Sequence, residues 1–427
     1  MQPSQLLLIA TIVGVVGIGT IVWASAGVAR WVASMMRKQS MPPPPRLKRD
    51  SVAIVIAAHN EQLVIEKTLD SAEAQVAIGQ VYVASDGSTD DTALLAQRRG
   101  ANVLELNPNR GKAGAIVAAI EHFRLAELYE VVMLLDADTV LAANYLASGL
   151  PLFDDPGVVA VAGRASSISS PLPATLAGRI LVTYRDRVYV AVQYLLKYGQ
   201  AARTINVVSI VPGFASMYRT SVLGSIDIDA PGLSIEDYNM TFEIHAKSLG
   251  RIAFQPGSAV ALTQDPDTLH DYAKQVGRWS LGFWQTLLRH GWHPRLFFVV
   301  AWLSAVELVV SCAILVLALP VAALSGAAGM LASLRWDMSG FSQAFSGDLP
   351  GWIIVLGVVL PDLVLSLLVG LATGNPRFLL YAPVFPLLRI LDAALCLRAA
   401  RRALGGSSSS VWQSPVRRGD SAHSTST

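Results

Sequence analysis

Two acidic residues at one point of the sequence have the type and spacing to bind a metal ion. Asp136 and Asp138 stand two residues apart in LLDADT, where an apolar run typical of a buried strand ends. Carboxylates are hard ligands for Mg²⁺ or Mn²⁺, and such ions keep open coordination positions for the phosphate oxygens of a substrate diphosphate. The alternative is an acidic turn that only caps the next helix. Other motifs in the chain are needed to distinguish a metal site from a capping turn.

A further acidic residue follows another apolar run. Asp86 in ASDGSTD is followed by Gly87 and Ser88, which let the backbone approach a ligand closely. The Asp86 carboxylate could accept hydrogen bonds from the base or ribose of a nucleoside. Asp and Ser before a helix are also ordinary N-cap residues, so a capping role stays open here.

Lys112 in NRGKAGA is a cation in the first turn of an expected helix. The helix dipole places partial positive charge at that end, so a cation is unfavourable there unless it faces an anion or is solvated. A bound nucleotide would resolve the conflict.

Another acidic motif offers a candidate general base. Glu236 and Asp237 in GLSIEDYNM precede a helix with an apolar stripe. A general base must be a carboxylate or a His near the attacking hydroxyl, and a second carboxylate beside it raises its pKa usefully. One of the pair could instead only cap the helix. Pro212 and Gly213 break an apolar run upstream, either as a core turn or as the floor of an acceptor pocket.

The segment DYAKQVGRWSLGFWQTLLRHGW, residues 271–292, combines three Trp residues with basic residues just before a long apolar run. Trp and Arg both favour the headgroup region of a bilayer. An amphipathic helix at the membrane surface is therefore expected.

The elements that must position these motifs alternate between strand and helix. Apolar strands are predicted in VAIVIAAHN, QVYVAS, ANVLEL and EVVMLLD, and helical segments follow the first three. This alternation predicts an α/β domain with a mostly parallel sheet, whose ligands collect at the carboxyl ends of the strands. The polar motifs of the first four strands all fall at those ends.

The composition is that of an integral membrane protein. The chain has 427 residues, of which 52% are hydrophobic, enough for one domain plus membrane helices. A net charge of +2 gives no basic field and indicates no nucleic-acid partner. The two cysteines lie in apolar stretches without metal-ligand spacing, and they predict neither a disulfide framework nor a zinc site.

The N-terminal region predicts a membrane anchor. Leu6–Ala29 is an apolar run of the length needed to cross a bilayer. A cleaved signal peptide is the alternative, since small residues suited to cleavage are present, but a basic segment before the run is missing. Six basic residues between Arg30 and Arg49 follow it. By the positive-inside rule, they place the next domain on the cytosolic side of a cell membrane.

The C-terminal part is predicted to contain further membrane helices. Leu296–Leu324 and Gly351–Thr373 are apolar and long enough to span a bilayer. Pro376–Leu397 is less apolar, and it either spans or lies along the interface. Charges in such segments are costly, so they either line a polar channel or pair between helices. The residues concerned are Glu307, Asp362, Arg389 and Asp392.

Together the motifs resemble a known series. It consists of Asp86 in SDGSTD, Asp136 and Asp138 in DAD, Asp237 in IED, and QVGRW at residues 275–279. It is similar to the D, D, D, Q-x-x-R-W series of membrane-bound family 2 glycosyltransferases, the group of cellulose, chitin, hyaluronan and poly-N-acetylglucosamine synthases. The similarity runs from about Val52 to Trp292. Two departures are Ser85, where many relatives have a second Asp, and IED in place of the more usual TED.

The resemblance implies a GT-A-type nucleotide-sugar domain and a role for each matching residue. The residues implied to contact the nucleotide sugar are Asp86, Lys112, Asp136, Gln275 and Arg278. Asp138, with Asp136, is implied to bind Mg²⁺ or Mn²⁺, and Asp237 to be the catalytic base. The acceptor-binding residues are expected to be Trp279, Pro212, Gly213 and Glu236.

The implied reaction is inverting transfer of a sugar from a UDP-sugar to a growing β-linked polysaccharide, with export across the membrane as a further expectation. One alternative is transfer of a single sugar to a lipid acceptor of the ceramide or polyprenyl type. Another is a transporter or scaffold that only senses nucleotide. Nucleotide sensing alone would need neither a base nor an acceptor platform.

Predicted boundaries divide the chain into six parts. They are an N-terminal transmembrane helix at 1–29, a basic Pro-rich linker at 30–50, a cytosolic GT-A glycosyltransferase domain at 51–262, an interfacial amphipathic segment at 263–294, C-terminal membrane helices at 295–402, and a disordered tail at 403–427.

Overall fold

The computed structural model describes residues 3–36, 46–168, 172–333 and 351–406. Residues 37–45 of the predicted linker and residues 407–427 of the predicted tail lie outside the described residues.

The described residues contain ten strands in two sheets. In chain order they are β1 Val52–Ala58, β2 Val81–Asp86, β3 Asn102–Leu106, β4 Val131–Asp136, β5 Thr139–Leu141, β6 Val158–Ala162, β7 Arg164–Ser167, β8 Ala215–Arg219, β9 Arg251–Ala253 and β10 Val260–Thr263. The larger sheet has seven strands in the order β3-β2-β1-β4-β8-β6-β9. Strands β1 to β4 run parallel, β8 is antiparallel to β4 and β6, and β9 is parallel to β6. The smaller sheet has the order β5-β10-β7.

Helices lie around the sheets and continue towards the C-terminus. In chain order they are α1 Pro3–Val16, α2 Ile18–Met36, α3 Ile65–Glu73, α4 Thr92–Arg98, α5 Gly111–His122, α6 Leu125–Leu128, α7 Tyr145–Gly149, α8 Leu176–Ala191, α9 Tyr198–Gln200, α10 Thr220–Leu223, α11 Glu236–Ala246, α12 Leu269–His290, α13 Leu296–Ser333, α14 Gly351–Thr373, α15 Arg377–Leu380 and α16 Phe385–Leu404. A π-helical turn at Val192–Lys197 joins α8 to α9.

Strand β1 explains why the larger sheet lies in the interior. All seven residues of VAIVIAA are buried, and successive side chains point to opposite faces. Ile54 and Ile56 pack in one core with Leu69 of α3, whereas Val55 packs in another with Ile116 of α5. Helices therefore cover both faces, as a parallel sheet requires. The predicted α/β fold with a mostly parallel sheet is confirmed.

The carboxyl ends of the parallel strands meet at one edge of the sheet. Strand β2 ends at Asp86 and β4 ends at Asp136, on either side of β1. Helix α5 begins one residue before Lys112, and α11 begins at Glu236. The strand ends and helix starts thus bring the polar motifs to the same region.

Helix α12 contains most of the predicted interfacial segment. The Thr268 side chain caps it by accepting a hydrogen bond from the backbone N–H of Asp271. Val276, Trp284 and Leu287 are buried along one side of the helix, which packs against α16.

Within the described residues, two helices are long and apolar enough to cross a membrane, namely α13 over Leu296–Ala328 and α14. The pair α1 and α2 would form a third span if both crossed together. Helix α16, which contains most of the Pro376–Leu397 segment, is not among the described helices that meet this criterion.

The N-terminal segment, for which a transmembrane helix at 1–29 is predicted, consists of two helices that meet at a break. Helices α1 and α2 meet at an angle of 70°, and α2 continues to Met36. Gly17 lies at the break with φ of 88°, a value that favours glycine. The Glu307 Oε2 of α13 accepts a hydrogen bond of 2.8 Å from the backbone N–H of Gly19. This carboxylate from another helix caps the start of α2.

Asp362 of α14 is paired between helices. Its Oδ1 lies 2.8 Å from Arg187 Nη2 and its Oδ2 lies 3.2 Å from Arg389 Nη1. Arg187 Nη1 also donates to Ser366 Oγ at 3.0 Å. One buried carboxylate thereby joins α8, α14 and α16.

Asp392 of α16 is hydrogen-bonded in a similar way. Its carboxylate accepts from the hydroxyls of Tyr184 at 2.8 Å and Tyr272 at 2.6 Å. With Glu307 and Asp362 also bonded to neighbouring helices, the structure favours interhelical pairing over channel lining for these charges.

Helix α2 contacts the helical segment 176–200 at two glycines. A Cβ atom at Gly199 would lie 2.3 Å from the Trp23 carbonyl oxygen, and one at Gly27 would lie 3.2 Å from a carbonyl of the π turn. Arg30 Nη1 donates to the Tyr198 carbonyl at 2.7 Å. The two backbones are therefore in direct contact.

Candidate active site

A lysine lies between two carboxylates at the carboxyl edge of the sheet. Lys112 Nζ is 2.7 Å from Asp136 Oδ1 and 2.8 Å from Glu236 Oε1. Asp136 ends β4, Lys112 is in the first turn of α5, and Glu236 begins α11. The structure therefore brings three predicted site residues together from distant parts of the sequence.

Gly213 lies against this cluster. Its N–H donates to Asp237 Oδ2 at 3.2 Å, and its carbonyl oxygen accepts from Lys112 Nζ at 3.4 Å. A Cβ atom at this position would lie 2.9 Å from Glu236 Oε1, closer than side chains normally pack. The break made by Pro212 and Gly213 thus borders the carboxylates, and only glycine fits without a shift.

The charges of the cluster change the pKa values of its members in different directions. Burial opposes the charged form of Lys112, but Asp136 and Glu236 outweigh it and raise the Lys112 pKa. Burial also acts on Glu236, yet the Lys112 ammonium holds the Glu236 pKa below its usual range. For Asp136 burial prevails over Lys112, and the Asp136 pKa is raised. Lys112 is therefore a fixed cation at this edge.

Asp237 has the properties of a general base. Its Oδ1 accepts a hydrogen bond of 2.7 Å from the N–H of Tyr238, in addition to the Gly213 bond. Burial, with the negative charge of Glu236 second, raises the Asp237 pKa to about 6. A carboxylate with a pKa near working pH is mostly ionised and still holds a proton well, which suits proton transfer.

Asp86 is a buried carboxylate with one oxygen available to accept a hydrogen bond. The residue is fully buried at the end of β2, and its Oδ1 accepts a hydrogen bond of 2.7 Å from the N–H of Arg110. No hydrogen-bond partner of Oδ2 is found among the described residues. Burial raises the Asp86 pKa despite the Arg110 N–H. A buried acceptor of this kind fits a ligand N–H or O–H donor.

Asp138 lies beside Asp136 at the start of β5. The negative charge of Asp138 raises the Asp136 pKa, although burial and Lys112 have larger effects on it. The described residues contain no group of three or more His, Cys, Asp or Glu side chains that could hold a metal ion. Two carboxylates fit an ion whose other ligands are substrate oxygens and water, as Mg²⁺ commonly has in phosphate sites.

The QVGRW motif lies on α12 and faces two directions. Arg278 is near enough to Glu236 for its positive charge to lower the Glu236 pKa. Gln275 and Trp279 point towards α8, where Arg185 Nη2 donates to Gln275 Oε1 at 3.5 Å and the guanidinium lies 4.3 Å from the Trp279 ring centroid. The motif therefore borders the cluster through Arg278 and borders α8 through the other two residues.

Sequence reasoning missed two buried cations near these residues. Arg185 was missed because a charged residue in YRDRVY resembles an exposed helix position, and its partner Asp265 is far along the chain. Lys197 lies in the π turn, and burial lowers its pKa to about 8 against the opposing charge of Asp237. The apolar residues around Lys197 in the sequence were the available signal, because a lone lysine in such a run has to be buried or solvated at a cost.

Comparison with known proteins shows that the α/β domain matches a known protein family. Residues 49–282, more than half of the chain, match the family model described as glycosyltransferase like family 2. Poly-beta-1,6-N-acetyl-D-glucosamine synthase of Staphylococcus aureus (strain COL) is 27% identical over 249 residues, 56% of this chain and 56% of the relative. The synthase of Staphylococcus epidermidis is 27% identical over 252 residues, 57% of each chain. The chain thus spans little more than half the length of these curated relatives.

A solved structure is similar over nearly the whole chain. The mannosyltransferase PcManGT from Pyrobaculum calidifontis, in complex with GDP-Man and Mn²⁺, has a TM-score of 0.55 and 17% sequence identity. The comparison covers 94% of this chain and 99% of that one. The likeness confirms a GT-A-like fold.

Proposed function

This chain belongs to glycosyltransferase family 2, and we propose that it is an inverting enzyme that moves a sugar from a UDP-sugar onto a growing β-linked polysaccharide. The observation on which this depends is the position of Asp237. A carboxylate with a pKa of about 6 lies directly beside the Lys112, Asp136 and Glu236 cluster. A base and a diphosphate site would then share one edge of the sheet.

The donor is proposed to bind across the ends of β2 and β4. The free Oδ2 of buried Asp86 would accept a hydrogen bond from the nucleoside. Lys112 would turn its ammonium towards the diphosphate, where it can stabilise negative charge. This assignment also explains why a cation is kept in the first turn of α5.

Asp138 and Asp136 are the residues that would hold Mg²⁺ or Mn²⁺. When bound, such an ion would neutralise the charge of the diphosphate and orient its oxygens. The mannosyltransferase with the same fold was solved with Mn²⁺. That observation supports a divalent ion without assigning one to this chain.

Residues of α12 are proposed to complete the site. Arg278 and Gln275 would contact the departing diphosphate, since a guanidinium fork matches phosphate oxygens. The half-buried indole of Trp279 would support the acceptor sugar by packing against its C–H groups. Pro212, Gly213 and Glu236 would border the acceptor on the other side.

Asp237 would remove the proton from the acceptor hydroxyl. The oxygen would attack the anomeric carbon opposite the UDP group, forming the new C–O bond as the bond to the diphosphate breaks. An α-linked donor then gives a β-glycoside in one displacement, and no covalent enzyme intermediate is required. Gly213 N–H keeps Asp237 directed towards the edge of the cluster.

A polymer is preferred over a single-sugar lipid because both curated relatives are named as polysaccharide synthases. The α/β domain is proposed to lie in the cytosol, where UDP-sugars are made, with α13 and α14 crossing the cell membrane. Export of the polymer through the membrane is part of the same proposal.

Donor screening tests the proposed function. Membranes containing the chain are supplied in turn with UDP-N-acetylglucosamine, UDP-glucose and UDP-glucuronic acid, and UDP release and product mass are measured. We expect one donor to yield UDP together with a ladder of long saccharides. A product with one sugar on a lipid would replace the polymer with a lipid acceptor. Absence of UDP release with every donor would contradict an enzyme and favour a nucleotide-sensing transporter or scaffold.

A further inference from the structure

Arg185 of α8 lies beneath the QVGRW motif and is almost completely buried. Its exposed fraction is 5%, and its guanidinium carbon is 4.3 Å from the centroid of the Trp279 ring. The same guanidinium is 5.0 Å from the Tyr189 ring centroid and 5.8 Å from that of Tyr272. A buried cation surrounded by three aromatic rings gains cation–π attraction that water does not screen.

One ion pair and one hydrogen bond hold Arg185 in place. Its Nε is 3.6 Å from Asp265 Oδ1, and its Nη2 donates to the Tyr189 hydroxyl at 3.0 Å. The Tyr189 hydroxyl donates in turn to Asp265 Oδ1 at 2.9 Å. Ser167 Oγ donates to the other carboxylate oxygen of Asp265. Asp265 is itself buried, and none of these contacts involves α12, so they fix the guanidinium independently of that helix.

The same guanidinium contacts two residues of the motif at once. Gln275 and Trp279 are four residues apart on α12, so their side chains lie on the same face of the helix. Arg185 Nη2 donates to Gln275 Oε1 at 3.5 Å while the planar group lies over Trp279. A planar group with several donors can do both, which a lysine ammonium cannot.

We infer that Arg185, anchored by Asp265, is a positioning residue that fixes the Trp279 ring for binding of the acceptor saccharide. The inference depends on the proposed function, because it assigns the acceptor side of that site. Arg185 lies over one face of the indole, and the sugar would pack against the opposite face. In this assignment Arg185 acts through Trp279 and would not itself bind the donor.

The acceptor-side consequence is tested with Arg185→Met and Arg185→Lys. Methionine keeps most of the side-chain volume, whereas lysine keeps the charge and loses the planar fork. We expect Arg185→Met to raise the KM for a β-linked N-acetylglucosamine oligosaccharide acceptor about tenfold. The KM for the UDP-sugar and UDP release without acceptor should change less than twofold, because the 3.5 Å contact from Arg185 to Gln275 is longer than an ordinary hydrogen bond. Arg185→Lys should recover part of the acceptor affinity.

Arg179→Met is the matched control, because Arg179 lies on the same helix but is exposed. It should leave both KM values unchanged. Asp265→Asn removes the anchoring charge, and combined with Arg185→Met it should add little to the acceptor KM, since both changes release the same guanidinium contact.

A spectroscopic measurement keeps the inference separate from the enzyme's activity. The protein is labelled with 5-fluorotryptophan, and the Trp279 signal is assigned by its loss in Trp279→Phe. We expect this signal to shift and broaden in Arg185→Met and to stay unchanged in Arg179→Met. An unchanged Trp279 signal in Arg185→Met would overturn the inference even if activity fell. If the wild-type protein releases no UDP with any donor, the proposed function fails, while the fluorine spectrum still decides whether Arg185 positions Trp279.

Equal losses of donor and acceptor affinity in Arg185→Met, with a lower melting temperature, would also overturn it. That pattern would indicate general loosening of α8 against α12.

Discussion

Carboxylates at the sheet edge and carboxylates among the membrane-side helices are buried or half-buried, yet their bonding differs. At the sheet edge, Asp86 keeps an oxygen for which the described part of the chain offers no partner, and Asp237 has a pKa raised to about 6. On the membrane side, Asp362 has an arginine on each oxygen, and Asp392 has a tyrosine hydroxyl on each. Burial alone therefore does not mark a functional group. The donors differ: the oxygens of Asp86 and Asp237 are bonded by backbone N–H groups where they are bonded, whereas those of Asp362 and Asp392 are held by side chains of other helices, which ties those helices together.

The largest effect is expected from Asp237→Asn at the sheet edge. The amide has nearly the same shape but cannot accept the acceptor's proton, so UDP release should fall about 10²–10⁴-fold. The melting temperature should change little, since the oxygen of the amide can keep one of the two backbone hydrogen bonds. UDP release and thermal unfolding of the purified protein measure both.

Asp91→Asn is the matched control for that variant, because Asp91 is an exposed carboxylate without a side-chain capping bond. It should behave as wild type. Full activity of Asp237→Asn would show that Asp237 is not the catalytic base, and the contrast between the two groups of carboxylates would no longer hold.

Asp362→Ala should show the opposite pattern. Removing this carboxylate leaves the Arg187 charge buried without its partner, which typically costs about 3–5 kcal/mol of stability. We expect a lower melting temperature in detergent, with UDP release per folded molecule close to wild type. Adding Arg187→Met to Asp362→Ala should recover stability, because the unpaired charge is gone. A stable Asp362→Ala protein without activity would instead assign Asp362 to the reaction.

The smallest effect concerns the pH profile. Asp237 must be ionised to accept a proton, so kcat/KM should rise as pH increases through about 6. Glu236→Gln removes the negative charge that helps to raise the Asp237 pKa. The acid limb of the profile should therefore move to lower pH by about one unit. Glu121→Gln, an exposed change elsewhere in the domain, should leave the limb in place, and a limb that moves upwards in Glu236→Gln would contradict the assigned coupling.

The first half of the fold could be predicted because its signals are local. VAIVIAA and VVMLLD are continuous apolar runs, which is the pattern of strands buried on both faces, and helices separate them. The antiparallel insertion of β8 between β4 and β6 could not be predicted in this way. Its position depends on pairing between segments far apart in the sequence, and nothing within ASMYR specifies a direction.

The candidate active site could likewise be predicted only in part. Asp136, Asp237 and Lys112 could be named from their types and their positions at element ends. Their mutual geometry could not be predicted. Lys112 lies against two carboxylates of the chain, whereas the sequence suggested a bound nucleotide as its anionic partner. The break at Gly17 needed Glu307 from a distant helix, which a local apolar pattern does not show.

The glycine contact between α2 and segment 176–200 has a mechanical consequence. Neither Gly27 nor Gly199 has a side chain that could move aside, so at this contact the two backbones bear directly on each other. Segment 176–200 includes Arg185, which packs on Trp279. Tilting of α2 in a thicker or thinner bilayer would therefore be transmitted through rigid backbone to the surface on which the sugar chain is expected to rest.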